Sequence, residues 1–424
     1  MQRNSLTYQS YLKILTRELV PAMGCTEPIA LAYCAAAARE AAGDLEDSGL
    51  RSVTVWVSGN IIKNVKSVIV PNTGGLRGIE TAVAAGLASG RQERRLEVLS
   101  SLDDAQRARL RELRQLVQVH PAQTDAVLYV EILLTYGGGT ARAILEGSHT
   151  GLTLLERNGQ VLFREDPQTQ AAQAQTALTV HDIFDFVQSV TPEELEPLVG
   201  RQIDCNLAIA RAGLEEPWGA NVGKVLLQMH GSDWRTRARA CAAAGSDARM
   251  SGCELPVITV SGSGNQGITA SVPVAIFAEH MGATREQLLR AVALSDLVTI
   301  QQKTGIGCLS AFCGAVCAGC GAGAGIAYLE TGDYKAVTHT IVNALAIVSG
   351  MVCDGAKPSC AAKIASAVDA GILGYELYRR GQEFRDGDGI VKKGVDNTIG
   401  NVGRMARTGM RETDRVILEI MCGC

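Results

Sequence analysis

Between residues 310 and 329 the chain carries almost no bulky side chain, running Ser-Ala-Phe-Cys-Gly-Ala-Val-Cys-Ala-Gly-Cys-Gly-Ala-Gly-Ala-Gly-Ile-Ala-Tyr-Leu. A second apolar stretch near 341–353 is similarly built, and aromatic residues make up only 4% of the 424 residues. A chain so poor in large rings fills its interior by bringing small-faced helices close together. Polar residues such as His339 and Asn343 flank or interrupt these runs, which predicts buried core helices rather than membrane spans. The N-terminal segment MQRNSLTYQSYLKILTREL reads as an amphipathic helix, without the continuous apolar centre of a signal peptide. Net charge is −4, so no basic field points to nucleic acid or to an anionic membrane surface. The thirteen cysteines are an odd number and form no secreted framework, which places the chain in a reducing cytoplasm.

The organisation changes near residue 170. Helices are expected over 5–20 and 28–42, the second opened by Thr26-Glu27-Pro28, a capping residue and a first-turn proline. Alternating β-branched residues in SVTVWVSG and VKSVIVP predict strands within 52–70. A helix follows at 78–89, then a charged one near 102–116 that reads as a solvated face. Strands are expected at 127–135, 140–145, 151–156 and 160–164, the last two joined by an Asn158-Gly159 hairpin turn. The Gln-rich stretch 166–177 resembles a linker, and beyond it helices dominate except for the strand-like PVITVS (256–261). The predicted fold class is α+β: a mixed region over 1–170 with a small sheet, then a mostly helical domain over 175–424.

Residues 262–267, Gly-Ser-Gly-Asn-Gln-Gly, match a dinucleotide fingerprint, but no second strand follows to complete a βαβ unit, so NAD is not expected. The same loop looks like the Ser-Gly-Asn loop of pyridoxal-phosphate eliminases. The nearest upstream lysine, Lys224, and the glycine run at 137–140 stand in the wrong order for that cofactor, so pyridoxal phosphate is not expected either. What remains is a helix opening near 268 whose backbone N–H groups can hold a carboxylate, or a tight turn without a ligand.

Thiolates bind soft metals, and small neighbours let an inorganic cluster come close to the backbone. Cys313, Cys317 and Cys320 fall on one helical face, yet seven residues of helix rise about 10 Å, so one cluster cannot take all three. Most of that stripe is packing. Cys353 and Cys360 flank Asp354-Gly355-Ala356-Lys357-Pro358, where Pro358 interrupts helical geometry. Cys353 is therefore expected to end one helix and Cys360 to open the next, either as metal ligands or as buried structural thiols. Cys25 precedes a helix N-terminus, whose dipole favours the thiolate and lowers its pKa; the alternative is a thiol simply buried there.

The segments PAMGCTEPIALAYCAA, SGNIIKNV, VPNTGG, SGSGNQGI, LSAFCGAV and MVCDGAKPSCAAK occur in that order. From about residue 5 to 420 the chain resembles the oxygen-sensitive iron–sulfur L-cysteine desulfidases, relatives of the α domain of iron–sulfur L-serine dehydratases. That resemblance implies a 4Fe-4S cluster on Cys313, Cys353 and Cys360, and a catalytic role for Cys25. It passes over Cys308, and where the family often has a second cysteine this chain has Ala315. The implied reaction is α,β-elimination of L-cysteine to hydrogen sulfide, ammonia and pyruvate, with Cys25 as base or as a transient fourth cluster ligand. Asn72, Thr73, Asn265 and Gln266 are candidates to hold the amino-acid substrate. An L-serine dehydratase is the first alternative, and a non-catalytic metal-binding protein the second. A homodimer without nucleic-acid or membrane partners is the expected assembly.

Overall fold

The computed structural model describes residues 1–43, 49–166, 178–307 and 309–422. All but the first residue of the expected linker at 166–177, with the domain boundary placed in it, lie outside these residues, as do Cys308, Gly423 and Cys424. The chain is α+β, with its sheet in the N-terminal part and helices throughout the rest.

Ser5 caps helix α1 (Leu6–Glu18) by accepting from the Tyr8 N–H. Strand β1 (Pro21–Met23) then leads into α2 (Thr26–Ala42), whose alanines let nearly every residue be buried. Strand β2 (Leu50–Val57), helix α3 (Gly59–Val65), helix α4 (Ile79–Ser89) and helix α5 (Asp104–Gln115) follow. Five strands complete the main sheet: β3 (Val117–Pro121), β4 (Tyr129–Tyr136), β5 (Gly139–Glu146), β6 (Leu152–Arg157) and β7 (Gln160–Arg164). The spatial order is β3-β2-β4-β5-β6-β7, parallel only between β2 and β3. Strand β4 alternates buried and half-exposed residues, so one face of the sheet packs inward, beneath α2. Helices α2 and α4 cross so closely that a Cβ on Gly86 would lie 2.1 Å from the Ala32 carbonyl oxygen.

One expectation in this part is corrected. VKSVIVP forms no strand: Gly59–Val65 is helical, and only an Ile69–Arg77 bridge follows. Its apolar spacing serves burial of Val65, Val68 and Val70 rather than pairing. Strand β3, in contrast, was not anticipated, because Val117 and Val119 alternate with polar residues over only five positions. The charged helix α5 does present a solvated face, burying only Leu110 and Leu113, and Asn158-Gly159 turns the last hairpin with φ of 52° and 80°.

The helical part comprises α6 (Val180–Ser189), α7 (Arg201–Glu215), α8 (Val222–His230), α9 (Trp234–Met250), strand β8 (Pro256–Ile258), α10 (Gly264–Met281), α11 (Arg285–Ile306), α12 (Gly314–Thr331), α13 (Tyr334–Ile347), α14 (Cys360–Arg379), α15 (Val395–Arg404) and α16 (Arg411–Cys422). The small-residue run is α12, the central helix, packed by α10, α11, α13 and α14. Its glycines set the distance: a Cβ on Gly319 would lie 2.4 Å from the Ala367 carbonyl carbon, and one on Gly323 2.6 Å from the Gly371 oxygen. Cys317 and Cys320 are fully buried in this helix as packing residues. No helix among the described residues is long and apolar enough to cross a membrane.

Contacts between the two parts fix the site. Strand β1 pairs antiparallel with β8, and the Thr259 N–H and hydroxyl bond Val20 and Glu18. Helix α1 joins the hydrophobic core of the C-terminal helices. Lys63 of α3 is buried against Asp414 of α16 at 2.5 Å.

Candidate active site

At the junction of β1 and β8 two loops face each other. Gly24 has φ of 70°, a left-handed conformation, and a Cβ there would strike Pro71 at 2.1 Å. The chain turns sharply at this glycine and delivers Cys25 as the N-cap of α2. From the other side, residues 261–267 run from β8 into α10. Ser261 holds φ of 49°, and Ser263 caps α10 through the Gln266 N–H. Each glycine of this loop makes room for a specific neighbour. A Cβ on Gly262 would lie 2.9 Å from His149 Nδ1, one on Gly264 2.4 Å from Arg249 Nε, and one on Gly267 1.9 Å from the Ile258 oxygen. The Gly-x-Gly-x-x-Gly pattern is thus a matter of close packing. Strand β8 pairs only antiparallel with β1, so there is no dinucleotide-binding unit here.

The cysteines expected to hold a cluster arrive on two further segments. Cys313 is the N-cap of α12. Residues 311–313 lie antiparallel to 351–353: the Cys313 N–H donates to the Met351 oxygen at 3.0 Å and the Cys353 N–H to the Ala311 oxygen at 2.6 Å. Cys353 therefore sits in an extended segment six residues past the end of α13, not at a helix terminus as expected. Helix α13 stops at Ile347 because residues 350–353 are taken up by that bridge. Cys360 does open α14, and its thiol faces the Gly355 oxygen at 3.7 Å. Gly355, with φ of 94°, approaches α3 so closely that a Cβ would lie 2.2 Å from the Lys63 oxygen.

All four of these cysteines, with Asn265 and Gln266, line one cavity of about 110 Å³. Glu27, His149, Arg249, Lys303 and Asn64 complete much of its wall. Asn72 and Thr73 are not brought to it. Asn72 has φ of 58° and is tied into its turn, donating to Leu99 and Leu102 and accepting from Arg107 at 2.7 Å. Thr73 donates to the Val70 oxygen at 2.7 Å. A larger groove of about 530 Å³ elsewhere carries ion pairs of its own, Arg237 with Glu279 and Arg285 with Asp204.

Electrostatically the cavity has two ends. At one, Cys313 and Cys353 share a hydrogen bond that draws Cys353 down and pushes Cys313 up; burial opposes the first shift and adds to the second, while Lys63 and Lys303 favour the Cys353 thiolate. At the other, the Cys25 thiol donates to Glu27 Oε2 at 3.0 Å, and the Thr26 hydroxyl donates to the same oxygen at 3.1 Å. Burial, then the Glu27 charge, push Cys25 well above the ordinary thiol range, with Arg249 opposing them weakly. The expectation that the helix end makes Cys25 a thiolate is therefore not met. Burial alone would raise Glu27; His149, whose Nε2 stands 3.9 Å from Oε1, together with Cys25 and Arg249, holds it down at about 2.

Several buried polar atoms around the cavity have no hydrogen-bond partner: His149 Nε2, Arg249 Nε and Nη2, Asn265 Oδ1 and Gln266 Oε1. Buried polar atoms are nearly always paired, so this concentration marks a place where a polar ligand completes the bonding. Nothing in the sequence sets apart Arg249, which looks like an ordinary cation at a helix C-terminus, or His149, which lies in a turn between strands. Among the described residues no three His, Cys, Asp or Glu side chains converge as ligands of a single ion. A 4Fe-4S cluster asks for something different, one thiolate to each iron. Three thiols at one end of a cavity, flanked by Gly314, Ala315, Gly355 and Ala356 and faced by two buried lysines, fit that demand.

A family model described as serine dehydratase alpha chain matches residues 93–419. A UPF0597 protein of Desulfitobacterium hafniense strain Y51 is 52% identical over 426 residues, covering 99% of this chain and 98% of the relative. One from Lachnoclostridium phytofermentans is 47% identical over 421 residues (98% and 99% covered), and one from Treponema denticola 43% identical over 432 (99% of each).

Proposed function

This chain belongs to the serine dehydratase alpha chain family, and we propose that it is a cytoplasmic 4Fe-4S lyase that eliminates hydrogen sulfide from L-cysteine. The carrying observation is the meeting of Cys25 with Cys313, Cys353 and Cys360 in one cavity, although they come from three separate segments. Cys313, Cys353 and Cys360 would hold the cluster. When bound, a cluster on three thiolates offers an iron with an open position, a Lewis acid that stabilises the departing sulfur.

The chain's own residues supply the proton chemistry. Cys25 and Glu27 share one proton across 3.0 Å and carry a single negative charge between them. As a unit they act as base: Cys25 Sγ takes the substrate α-proton while its own proton passes to Glu27 Oε2. The C–S bond breaks as the Cα=Cβ bond forms, hydrosulfide leaves, and 2-aminoacrylate remains. That product tautomerises to the imine, and water hydrolyses it to pyruvate and ammonia. The walls of the buried cavity keep bulk water from the dyad, and His149 stands beside Glu27 to steady its charge.

The family match favours a second substrate, L-serine, which loses hydroxide by the same route. Anaerobic reconstitution with iron and sulfide, followed by assay of sulfide, ammonia and pyruvate from each amino acid, separates them. Equimolar sulfide and pyruvate from L-cysteine are expected. Pyruvate from L-serine alone would move the assignment to the dehydratase, and no product from either would overturn both.

A further inference from the structure

One large cation in the cavity is left without a partner. Arg249, the next-to-last residue of α9, is 2% exposed, and neither Nε nor Nη2 has a hydrogen-bond partner. No ion pair with it occurs among the described residues. Glu27 is near enough for the two charges to act on each other, yet the buried Nε and Nη2 donors remain unmade, which is costly, so this edge of the guanidinium is arranged for an acceptor that arrives later. Glu27 is not that acceptor, because its carboxylate is engaged by Cys25 and Thr26 and faces His149. Lys303, the other unpaired cation in the wall, acts on Cys353 and Cys317 and so belongs to the thiol end. Arg249 acts on Cys25 and Glu27, at the opposite end.

The loop before α10 is shaped around this arginine. Gly264 leaves the space that Arg249 Nε occupies, and the next two residues, Asn265 and Gln266, bring Oδ1 and Oε1 to the cavity without donors. Unused donors and unused acceptors thus line the same space. Nε and Nη2 form one edge of the guanidinium, the edge that takes a carboxylate at two points.

We propose that Arg249 is the carboxylate anchor of the site and that Asn265 and Gln266 receive the ammonium of the amino-acid substrate. An amino-acid amide lacks the carboxylate, a simple thiol lacks both groups, and a longer peptide does not carry both on one carbon. This deepens the elimination reading and rests on it for the identity of the cavity as a substrate site.

Two thiol probes separate the contributions: 3-mercaptopropionate keeps the carboxylate without the amine, and cysteamine keeps the amine without the carboxylate. Both carry a thiol, so any bond from iron to sulfur cancels in their ratio. Their dissociation constants, measured by anaerobic calorimetry on the reconstituted protein, require no turnover. In Arg249→Gln, 3-mercaptopropionate is expected to weaken at least about 30-fold and cysteamine less than about 3-fold, with KM for the substrate rising more than kcat falls. Arg249→Lys keeps the buried charge but loses the two-point fork, and should weaken 3-mercaptopropionate selectively by about 10-fold; it also carries the test if the glutamine variant does not accumulate. Equal weakening of both probes, or no change in 3-mercaptopropionate, would overturn the anchor. If the native protein released no product yet bound the carboxylate probe through Arg249, the elimination reading would fail and the anchor would stand. Normal sulfide release with unselective probe loss would remove the anchor alone.

Discussion

At Cys25 two effects compete for one proton. The N-terminus of α2 favours the thiolate, an effect worth about 0.3–1 kcal/mol at an exposed helix end and about 2 at a partly buried one. Complete burial and a carboxylate 3.0 Å away favour the thiol, and the desolvation of a buried anion is the larger quantity by several kcal/mol. The proton stays on sulfur, which is why the proposed base includes Glu27. Glu27→Gln removes the acceptor while preserving shape; turnover is expected to fall by about 100-fold or more with the cluster retained, as read from rates on samples of matched iron content. Wild-type turnover in that variant would leave Cys25 acting alone. Glu27 also ties stability to pH. Its folded pKa, about 2, lies below the unfolded 4.5, so its contribution is present above pH 4.5 and is lost as pH falls toward 2. That shift corresponds to about 3 kcal/mol. Unfolding midpoints of the iron-free protein should therefore drop more steeply over this window in the native chain than in Glu27→Gln, and equal slopes would contradict the assignment.

Among the elements, glycine carries the most positional information, and it was the hardest to interpret beforehand. The run 310–329 was legible as a buried, closely packed helix, because small residues let helices approach closely and the polar residues beside the run argue against a membrane span. Its partner was not legible, since Gly371 lies in a different helix and only the fold brings it against Gly323. Gly262, Gly264 and Gly267 were visible as a pattern, but a pattern does not reveal what each glycine makes room for. The strand expected at VKSVIVP failed for a related reason: alternation reports burial, and an irregular loop over a core buries alternate residues as well as a strand does. The close approach of α12 to α14 has a measurable consequence. Gly323→Val places a branched side chain where the Gly371 backbone stands 2.6 Å from an ideal Cβ. A loss of about 3 kcal/mol is expected in denaturant unfolding, with poor cluster retention because Cys313 and Cys360 begin these two helices. Native stability in that variant would show that the helices can separate freely.

For the molecule as a whole, the site is an assembly of distant pieces. Strands β1 and β8 pin the Cys25 loop beside the Ser261–Gly267 loop, and Gly355 lays the Cys353–Cys360 loop on α3. Lys63, 1% exposed, joins α3 to the last helix through Asp414, and its charge also reaches Cys353. The thiols themselves were singled out in the sequence by the resemblance to the iron–sulfur desulfidases, because Cys317 and Cys320 lie among glycines just as closely. Their convergence could not be read there, since it depends on a three-residue strand pairing and on a buried lysine that resembles a surface one. Arg249 and His149 were invisible for the same reason: what sets them apart is a missing partner, and partners are assigned only by the folded chain. The claim that one cavity divides its work between three cluster thiols and a separate proton-handling thiol is tested most directly by paired counts. Bound iron and substrate turnover are measured on the same anaerobic samples of the native chain, Cys25→Ala and Cys353→Ala. The native chain should hold about four irons and turn over; Cys25→Ala should keep the iron and lose turnover; Cys353→Ala should lose both. Undiminished turnover in Cys25→Ala, or a stable active cluster in Cys353→Ala, would contradict that division.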